Sequence, residues 1–271
     1  MTTSDAAEVG AANATFSATL VDQWIVNGLT HAFIAPGSRS TPLAVALAER
    51  PEVRLEVFLD ERSASFAALG YGQATSKPAV VLCTSGTAAT HFHGAVAEAG
   101  ISCVPMLVCT ANRPPELWGI GAPQTIDQTN LYAASVRAFL QPGPPDDGHQ
   151  DTWRSLANQS WAAAASPAEP GPVQLDLSFR EPLVGATTSL PAPLRPAVLK
   201  SSPGPSESRI SKFVGYLLHD NRPLPGVIVA GRGQSNPAAI RSLAHALGWP
   251  VIADHRSGLR DGTSLRFTDT F

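Results

Sequence analysis

The chain of 271 residues has a formal net charge of −3, with 44% hydrophobic and 15% charged residues. This composition predicts a folded, well-buried α/β protein, and the lack of a basic block argues against nucleic acid or an anionic membrane as a partner. No apolar run approaches the roughly 18 residues that a membrane-spanning helix requires. The N-terminus lacks the basic start and apolar core of a secretion signal, so we expect a cytoplasmic protein.

Helix and strand signals alternate along residues 1–184. A helix at 13–27 comes first, and each later strand is followed by a polar turn or a helix. The predicted strands are 31–35, 53–59, 79–83, 104–110, 136–140 and 173–177. The predicted helices are 42–50, 63–74, one ending near 99, and 150–165, with a loop at 118–130. This alternation predicts a doubly wound, mostly parallel sheet with helices on both faces.

Residues 185–205 are rich in Ala, Pro, Ser and Thr, which is typical of a linker between domains. They separate the predicted domain at 1–184 from a second α/β region at 206–271. In that region we expect helices at 206–219 and 235–247 and strands at 226–230 and 250–253. These elements are too few for a closed sheet, so we predict an incomplete, truncated second domain.

The three cysteines, Cys83, Cys103 and Cys109, form no CxxC pattern and stand in apolar stretches. We predict three buried thiols in a reducing compartment. The spacing of His91 and His93 places their rings apart on a helix, and no carboxylate or cysteine stands at metal-ligand spacing. The sequence therefore predicts no metal-ligating residue.

Polar turns follow several of the predicted strands. In the first, PGSRS, a glycine precedes Ser38 and Arg39, and a helix N-terminus lies just behind, which suits a carboxylate or phosphate. An ordinary Pro-Gly turn with Ser40 as helix cap explains these letters equally well. In the second, Asp60 is placed to cap a helix and Glu61 stands at a strand's carboxyl end, where open α/β sheets bind ligands. Alternatively, these two acids form a solvated first turn that complements the helix dipole.

Two further turns carry hydroxyls, a cation and an amide. The turn Thr84-Ser85-Gly86-Thr87 does not match G-x-S-x-G, so Ser85 is not expected to be a hydrolase nucleophile. Arg113 follows the next strand, and Gln124 lies in the loop after it. Each turn alone is a weak signal, but four polar turns at one sheet edge predict a binding site.

Five stretches together carry a resemblance to a known family. They are APGSRSTPLAVAL, FLDERSASFAALGYGQA, VLCTSGTAATHFHGAVAEA, CTANRPPELWGIGAPQTIDQ and LDLSFREPL. In order and spacing the chain, over about residues 13–271, resembles the 2-succinyl-5-enolpyruvyl-6-hydroxy-3-cyclohexene-1-carboxylate synthases of menaquinone biosynthesis. These are thiamine diphosphate-dependent transferases, and the resemblance covers the N-terminal portion only. It implies that residues 1–184 form the family's pyrimidine-binding domain.

The resemblance also implies roles for particular residues. Glu61 matches the catalytic glutamate that hydrogen-bonds the cofactor's aminopyrimidine ring and so activates the cofactor. Residues matching the lining of the pyrimidine site are Thr84, Ser85, Gly86 and Thr87. Residues matching those around the substrates, 2-oxoglutarate and isochorismate, are Ser38, Arg39, Arg113 and Gln124. Two anionic substrates make two arginines chemically sensible.

Two departures from the family pattern stand out. Pro123 occupies the loop position before Gln124 where the family usually has Asn, which stiffens the loop. The GDG…Asn motif that holds Mg²⁺ (or Mn²⁺) and the diphosphate in the family does not occur, so the diphosphate- and metal-binding domain is absent from this chain. Three interpretations stay open: a portion of the synthase, a non-catalytic remnant or binding module of the same fold, and another thiamine diphosphate carboligase. By analogy we expect a homodimer or homotetramer.

Overall fold

A computed structural model describes residues 3–199, 204–232, 236–260 and 265–266 of the chain. The chain divides into two compact units, residues 1–202 and 203–271. The assignment of 1–184 to a pyrimidine-binding domain, with a linker at 185–205, stays a prediction. None of the described helices is both long and apolar enough to cross a membrane.

The first unit is built around a parallel sheet of six described strands, flanked by helices. The strands are β1 (His31–Ala35), β2 (Arg54–Val57), β3 (Val80–Cys83), β4 (Met106–Asn112), β5 (Ala138–Leu140) and β6 (Pro172–Ser178). The helices are α1 (Thr3–Asn27), α2 (Thr41–Ala48), α3 (Glu61–Thr75), α4 (Thr87–Thr90), α5 (His93–Ile101) and α6 (Gln150–Ala164). This architecture confirms the predicted α/β fold.

Two apolar cores lie on opposite faces of this sheet. Alternate strand residues point to opposite faces, so in β1 Ile34 joins one core and Phe33 the other. The first core contains Trp24 of α1 and Trp161 of α6, together with side chains of α2. The second contains Phe92 and the small residues of α3, α4 and α5. β1, β3 and β4 are buried from both sides, which explains why they read as short apolar runs, whereas the edge strands β2 and β5 are only partly buried.

The strand order reverses between β1 and β3. The sheet runs β2-β1-β3-β4-β6-β5, so the chain leaves β1 toward one edge and leaves β3 toward the other. The connections that follow these two adjacent strands therefore diverge beyond the first turns and leave a crevice at the carboxyl ends of the strands. Such a reversal is the usual ligand-binding position in open parallel sheets. We call it the switch-point crevice.

Several element limits differ from the prediction for physical reasons. The strand predicted at 104–110 begins at Met106, since the Val104 N–H bonds to the Ala99 carbonyl and Pro105 has no N–H. The first helix begins ten residues before its predicted start. Its Gly10 lies so close to Val184 that an added Cβ would stand 2.7 Å from the Val184 carbonyl oxygen, so glycine permits this contact.

The prediction of three buried thiols is wrong for one of them. Cys83 and Cys109 are buried in strands, and burial raises the pKa of each. Cys103 is exposed in the turn after α5, at a φ of 52°. Its apolar sequence neighbours belong to the elements on either side of the turn.

Residues 185–199, within the first unit, lie along α1 and α6 without forming a helix or strand. Their backbone groups bond to side chains of α1 and α6: the Leu194 N–H donates to Gln23 (2.9 Å), and the Arg154 guanidinium donates to the Pro191 carbonyl (2.7 Å). Side chains thus satisfy the backbone of a segment that has no regular partner strand.

The second unit has a small parallel sheet of its own. Its described elements are α7 (Glu207–Leu217), β7 (Leu218–His219), β8 (Arg222–Pro223), β9 (Ile228–Ala230), α8 (Pro237–Leu247), β10 (Val251–Ala253) and β11 (Leu265–Arg266). β9, β10 and β11 are parallel, and β7 pairs antiparallel with β8. The predicted helices and strands are all present in shortened form. Among the described residues, Ala230, Ala253 and Leu259 form its small apolar core, and Ala244 of α8 is also buried.

A charged cluster ties α1 to α6. Asp22 accepts hydrogen bonds from Arg154, whose side chain is 3% exposed, and from Arg50 at 2.7 Å. Burial raises the pKa of Asp22, but the hydrogen bonds from both arginines outweigh this and hold it below the ordinary 3.8. Asp22 therefore stabilises the folded state when it is ionised.

We predict that Asp22→Asn lowers the free energy of unfolding by about 1.5–3 kcal/mol near pH 7, because a buried guanidinium loses its charged acceptor. The depressed pKa means that the wild-type advantage is complete above about pH 4 and is lost as the pH falls below it. Urea unfolding at pH 7 and at pH 3 measures both. The control, Glu52→Gln, removes the exposed partner of Arg50 and should change stability by less than about 1 kcal/mol.

Candidate functional site

The two turns of the switch-point crevice touch each other. A Cβ added to Gly37 would lie 2.6 Å from the Cβ of Thr84, so the first turn needs glycine to approach the second. Ser40 closes the first turn: its Oγ accepts from the Gly37 N–H (3.1 Å) and donates to the Gly37 carbonyl (2.9 Å). Ser40 precedes α2 but makes no side-chain cap bond to it. The PGSRS segment is thus shaped against its neighbour.

The second turn depends on Gly86, at φ 83° and ψ −145°, a region almost restricted to glycine. An added Cβ would stand 2.9 Å from the Gln124 carbonyl oxygen. Ser85 is buried and Thr87 is exposed. Thr84 is 8% exposed, and its buried hydroxyl has no hydrogen-bond partner in the described part of the chain. This hydroxyl is an unsatisfied polar group beside the PGSRS turn.

Ser85 accepts hydrogen bonds from two of the predicted site residues, both in the segment that follows β4. Its hydroxyl accepts a hydrogen bond from the Arg113 guanidinium, and its carbonyl accepts one from the Gln124 amide at 3.2 Å. Burial, and then the nearby charge of Arg39, lower the pKa of Arg113, while Glu181 opposes this shift. The two arginines therefore lie close enough to repel, which favours an anion between them.

Arg39 is bound by residues that directly follow β6. Its guanidinium donates to the Phe179 carbonyl and to the Glu181 carboxylate, both at 2.8 Å. Arg39 is almost completely buried, whereas Glu181 is 72% exposed. Part of the Arg39 charge is thus already compensated. Ser38, beside it, is exposed.

Glu61 is the first residue of α3, at the same sheet edge. Asp60 caps the helix as predicted, accepting from the Arg62 N–H at 2.9 Å, and it also pairs with the Arg62 side chain. Glu61 is half-buried, and its charge contributes to the raised pKa of Cys83 at the end of β3. Glu61 thus stands at the carboxyl end of β2, next to β1 in the sheet, while Asp60 and Arg62 satisfy each other at the surface.

A buried polar cluster lies behind the second turn. Asp176 of β6 is fully buried, and its two carboxylate oxygens accept four hydrogen bonds between 2.8 and 2.9 Å. The donors are Thr110, Asn112, Gln128 and Gln141. Gln128 in turn accepts a hydrogen bond from the Gly86 N–H at 2.8 Å. We call these five side chains the Asp176 network.

A cavity of about 610 Å³ opens between the end of β4 and the loop at 118–129. Asn112 and Gln128 of the Asp176 network line it, together with Trp118, whose indole N–H donates to the Arg113 carbonyl at 2.8 Å. The predicted loop at 118–130 is confirmed as irregular. It forms one wall of a space large enough for a small ligand.

Sequence reasoning identified part of this arrangement. The structure brings Ser85, Arg113 and Gln124 into contact and places Thr84 against the PGSRS turn. It leaves both Ser38 and Thr87 exposed. The residues that the sequence reading missed are Asn112, Gln128, Asp176 and Glu181. For Asp176 the available signal was the alternation of polar Gln174, Asp176 and Ser178 with apolar residues in β6.

In the described residues, no group of three or more His, Cys, Asp or Glu side chains is placed to hold a metal ion. The crevice offers hydroxyls, backbone amides, a carboxylate and two guanidinium groups. These are groups that recognise a polar heterocycle or a carboxylate. Their roles in binding stay predictions.

Comparison with known proteins supports the resemblance predicted from the five stretches. Residues 14–131 match the family model described as thiamine pyrophosphate enzyme, N-terminal TPP binding domain. Curated proteins named 2-succinyl-5-enolpyruvyl-6-hydroxy-3-cyclohexene-1-carboxylate synthase match nearly all of the chain. The one from Thermobifida fusca is 43% identical over 91% of this chain and 45% of its own length. The one from Halorubrum lacusprofundi is 37% identical over 94% of this chain and 43% of its own length.

The chain therefore spans a little under half the length of these relatives, and it matches their N-terminal part. Among solved structures, a Mycobacterium smegmatis protein described provisionally as a thiamin diphosphate-dependent enzyme has the same fold. The TM-score is 0.69 at 22% identity, over 89% of this chain and 44% of that one. The predicted resemblance is confirmed.

We predict that Gly86→Ala lowers the free energy of unfolding by about 2–4 kcal/mol, because the new Cβ needs both a strained backbone and space that Gln124 occupies. Gly119→Ala is the matched control: its φ is also positive, at 69°, but nothing lies within 4 Å of its Cβ. The control should cost about 1 kcal/mol. Equal losses in urea unfolding would contradict the tight packing of the second turn.

Proposed function

We propose that this chain supplies the pyrimidine-binding part of a thiamine diphosphate-dependent 2-succinyl-5-enolpyruvyl-6-hydroxy-3-cyclohexene-1-carboxylate synthase. The observation that carries the proposal is that the turns with Glu61, PGSRS and Thr84–Thr87 follow three adjacent parallel strands, β2, β1 and β3, at one sheet edge. The family model and the synthases of other organisms match the segments that form this crevice. The proposal makes the protein a transferase of menaquinone biosynthesis acting in the cytoplasm.

The crevice fits the pyrimidine ring of the cofactor. An aminopyrimidine carries donor and acceptor nitrogens, and the crevice presents the Glu61 carboxylate together with the Thr84 hydroxyl, which has no partner among the described residues. In this proposal Glu61 holds a proton at a ring nitrogen, and residues 84–87 line the ring. Thiamine diphosphate, when bound, supplies a group that stabilises the carbanion left by decarboxylation of a 2-oxo acid.

The proposed substrates are 2-oxoglutarate and isochorismate, both of which carry carboxylates. Arg113 supports this choice, because burial and the neighbouring Arg39 disfavour its charge and an arriving carboxylate relieves that cost. Ser38 and Gln124 stand at the rim, where they can add hydrogen bonds. Mg²⁺ or Mn²⁺ and the cofactor diphosphate are assigned to the part of the relatives that this chain does not match.

We predict that Glu61→Gln lowers the rate of carbon dioxide release from 2-oxoglutarate by at least about 100-fold, because glutamine cannot exchange a proton with the ring. The assay contains the purified chain, thiamine diphosphate, Mg²⁺ and isochorismate. Glu49→Gln, an exposed glutamate after α2, is the control and should retain the wild-type rate. Circular dichroism verifies that each variant is folded.

The outcomes separate the three interpretations. Turnover that depends on Glu61 supports the synthase. A folded chain that shows no turnover but binds thiamine diphosphate in a Glu61-dependent manner supports a binding module or remnant. Turnover of 2-oxoglutarate that does not need isochorismate as acceptor supports another carboligase of the same cofactor. Turnover unaffected by Glu61→Gln contradicts the assigned role.

We further propose that two copies of the chain associate through the outer face of α3. Phe66 is 53% exposed there, and its ring lies beside Gly94 of α5. Gly70, one turn further, has no atom within 4 Å of an added Cβ, so another chain can approach closely. An exposed aromatic side chain with an open glycine position one turn away is a surface on which a second copy would bury apolar area.

Phe66→Asp is expected to shift the chain from dimer to monomer in sedimentation velocity, because a charge replaces the ring at the proposed contact. Phe213→Asp is the matched control, since Phe213 of α7 is similarly exposed at 58%. Both variants are compared at one protein concentration. A wild-type chain that sediments as a monomer, or a control that dissociates equally, would contradict this surface.

A further inference from the structure

Asp176 has an unusual set of partners for a fully buried carboxylate. Thr110 and Gln128 donate to one oxygen, and Asn112 and Gln141 donate to the other, each at 2.8 or 2.9 Å. All four donors are neutral, and they come from β4 and from the segments that follow it. Burying a carboxylate is costly unless its oxygens are satisfied, and here these hydrogen bonds satisfy them.

Gln128 connects this carboxylate to the second turn of the crevice. Its Nε2 donates to Asp176 (2.8 Å) and to the Ala111 carbonyl (3.2 Å), while its Oε1 accepts from the Gly86 N–H (2.8 Å). A carboxylate only accepts and a backbone N–H only donates, so only one orientation of the amide satisfies both neighbours. Turning the amide over would create three repulsive contacts at once, with Asp176, the Ala111 carbonyl and the Gly86 N–H.

We propose that Asp176 is a positioning residue for the Thr84–Thr87 turn, acting through the amide of Gln128. Asp176 fixes which end of the amide faces Gly86, and the amide oxygen then holds the Gly86 N–H and the strained backbone at that position. The significance for cofactor binding rests on the function proposed above, because that function assigns this turn to the pyrimidine ring. The hydrogen-bond relay itself does not depend on that function.

The direct reporter is the amide proton of Gly86. In a ¹⁵N-glycine-labelled chain, Asp176→Asn should speed hydrogen exchange at Gly86 roughly tenfold or more. The amide of the introduced asparagine competes with Gln128 as a donor, so Gln128 turns over and its oxygen leaves Gly86. Gly72, buried inside α3, is the internal reference, since general unfolding would accelerate its exchange as well. Asp127→Asn, an exposed aspartate of the same loop, should leave Gly86 unchanged.

Moving the negative charge from position 176 to position 128 provides a second test. When Asp176→Asn is combined with Gln128→Glu, the introduced asparagine amide donates to the introduced glutamate carboxylate, whose other oxygen accepts the Gly86 N–H. Slow exchange at Gly86 should therefore return toward the wild-type rate. Gln128→Glu alone places two carboxylates against each other and should lose protection. The rescue remains informative even where Asp176→Asn alone does not fold.

The outcomes of these experiments distinguish the hydrogen-bond relay from the function proposed above. Unchanged exchange at Gly86 in folded Asp176→Asn, or a double variant worse than both single variants, overturns the inference. Loss at Gly86 with rescue in the double variant supports it. Isothermal titration with thiamine diphosphate is then a separate test. If the cofactor fails to bind even the wild-type chain while Gly86 responds as expected, the proposed function fails and the relay stands.

Discussion

The parallel pairing of β1 with β3, at the point where the strand order reverses, is the constraint on which this structure depends. Parallel pairing brings the carboxyl ends of the strands to one sheet edge, and the reversal parts the two connections. The turns that follow are then close enough to need glycine, as the contact between Gly37 and Thr84 shows. Helix packing on both faces keeps these strands in register, so the crevice is shaped by the fold itself.

The second face of β6 is covered differently from the rest of the sheet. Val173, Leu175 and Leu177 meet the first apolar core, whereas the alternate residues face the loop that follows β4. That loop has no regular backbone partner, so side-chain amides satisfy it: Gln174 donates to the Gln128 carbonyl at 3.0 Å. A polar strand face thus fixes an irregular loop, and the loop in turn holds the crevice.

Features set by residues that are close in the sequence were predicted correctly, whereas features set by contacts between distant residues were missed. β1 was predicted at its observed limits, since a short apolar run between turn residues is a local signal. Helix α6 and the irregular loop were also predicted correctly. The predicted start of β4 was two residues too early, and the prediction that Cys103 is buried was wrong. The first depends on a backbone hydrogen bond to Ala99 and the second on the course of a tight turn, and neither can be read from local composition. Asp176 was missed because its partners are distant in the chain.

The sequence by itself determined the doubly wound sheet, the polar turns at strand ends, the capping of α3 by Asp60 and the resemblance to a thiamine diphosphate enzyme family. These follow from periodicity, glycine and proline positions, and motif spacing, all of which are read along the chain. Only the tertiary structure decided that Arg39 is compensated by Glu181, that Arg113 meets Ser85, and that Asp176 reaches Gly86 through Gln128. Those contacts join residues tens of positions apart, and their geometry exists only once the strands are aligned and buried.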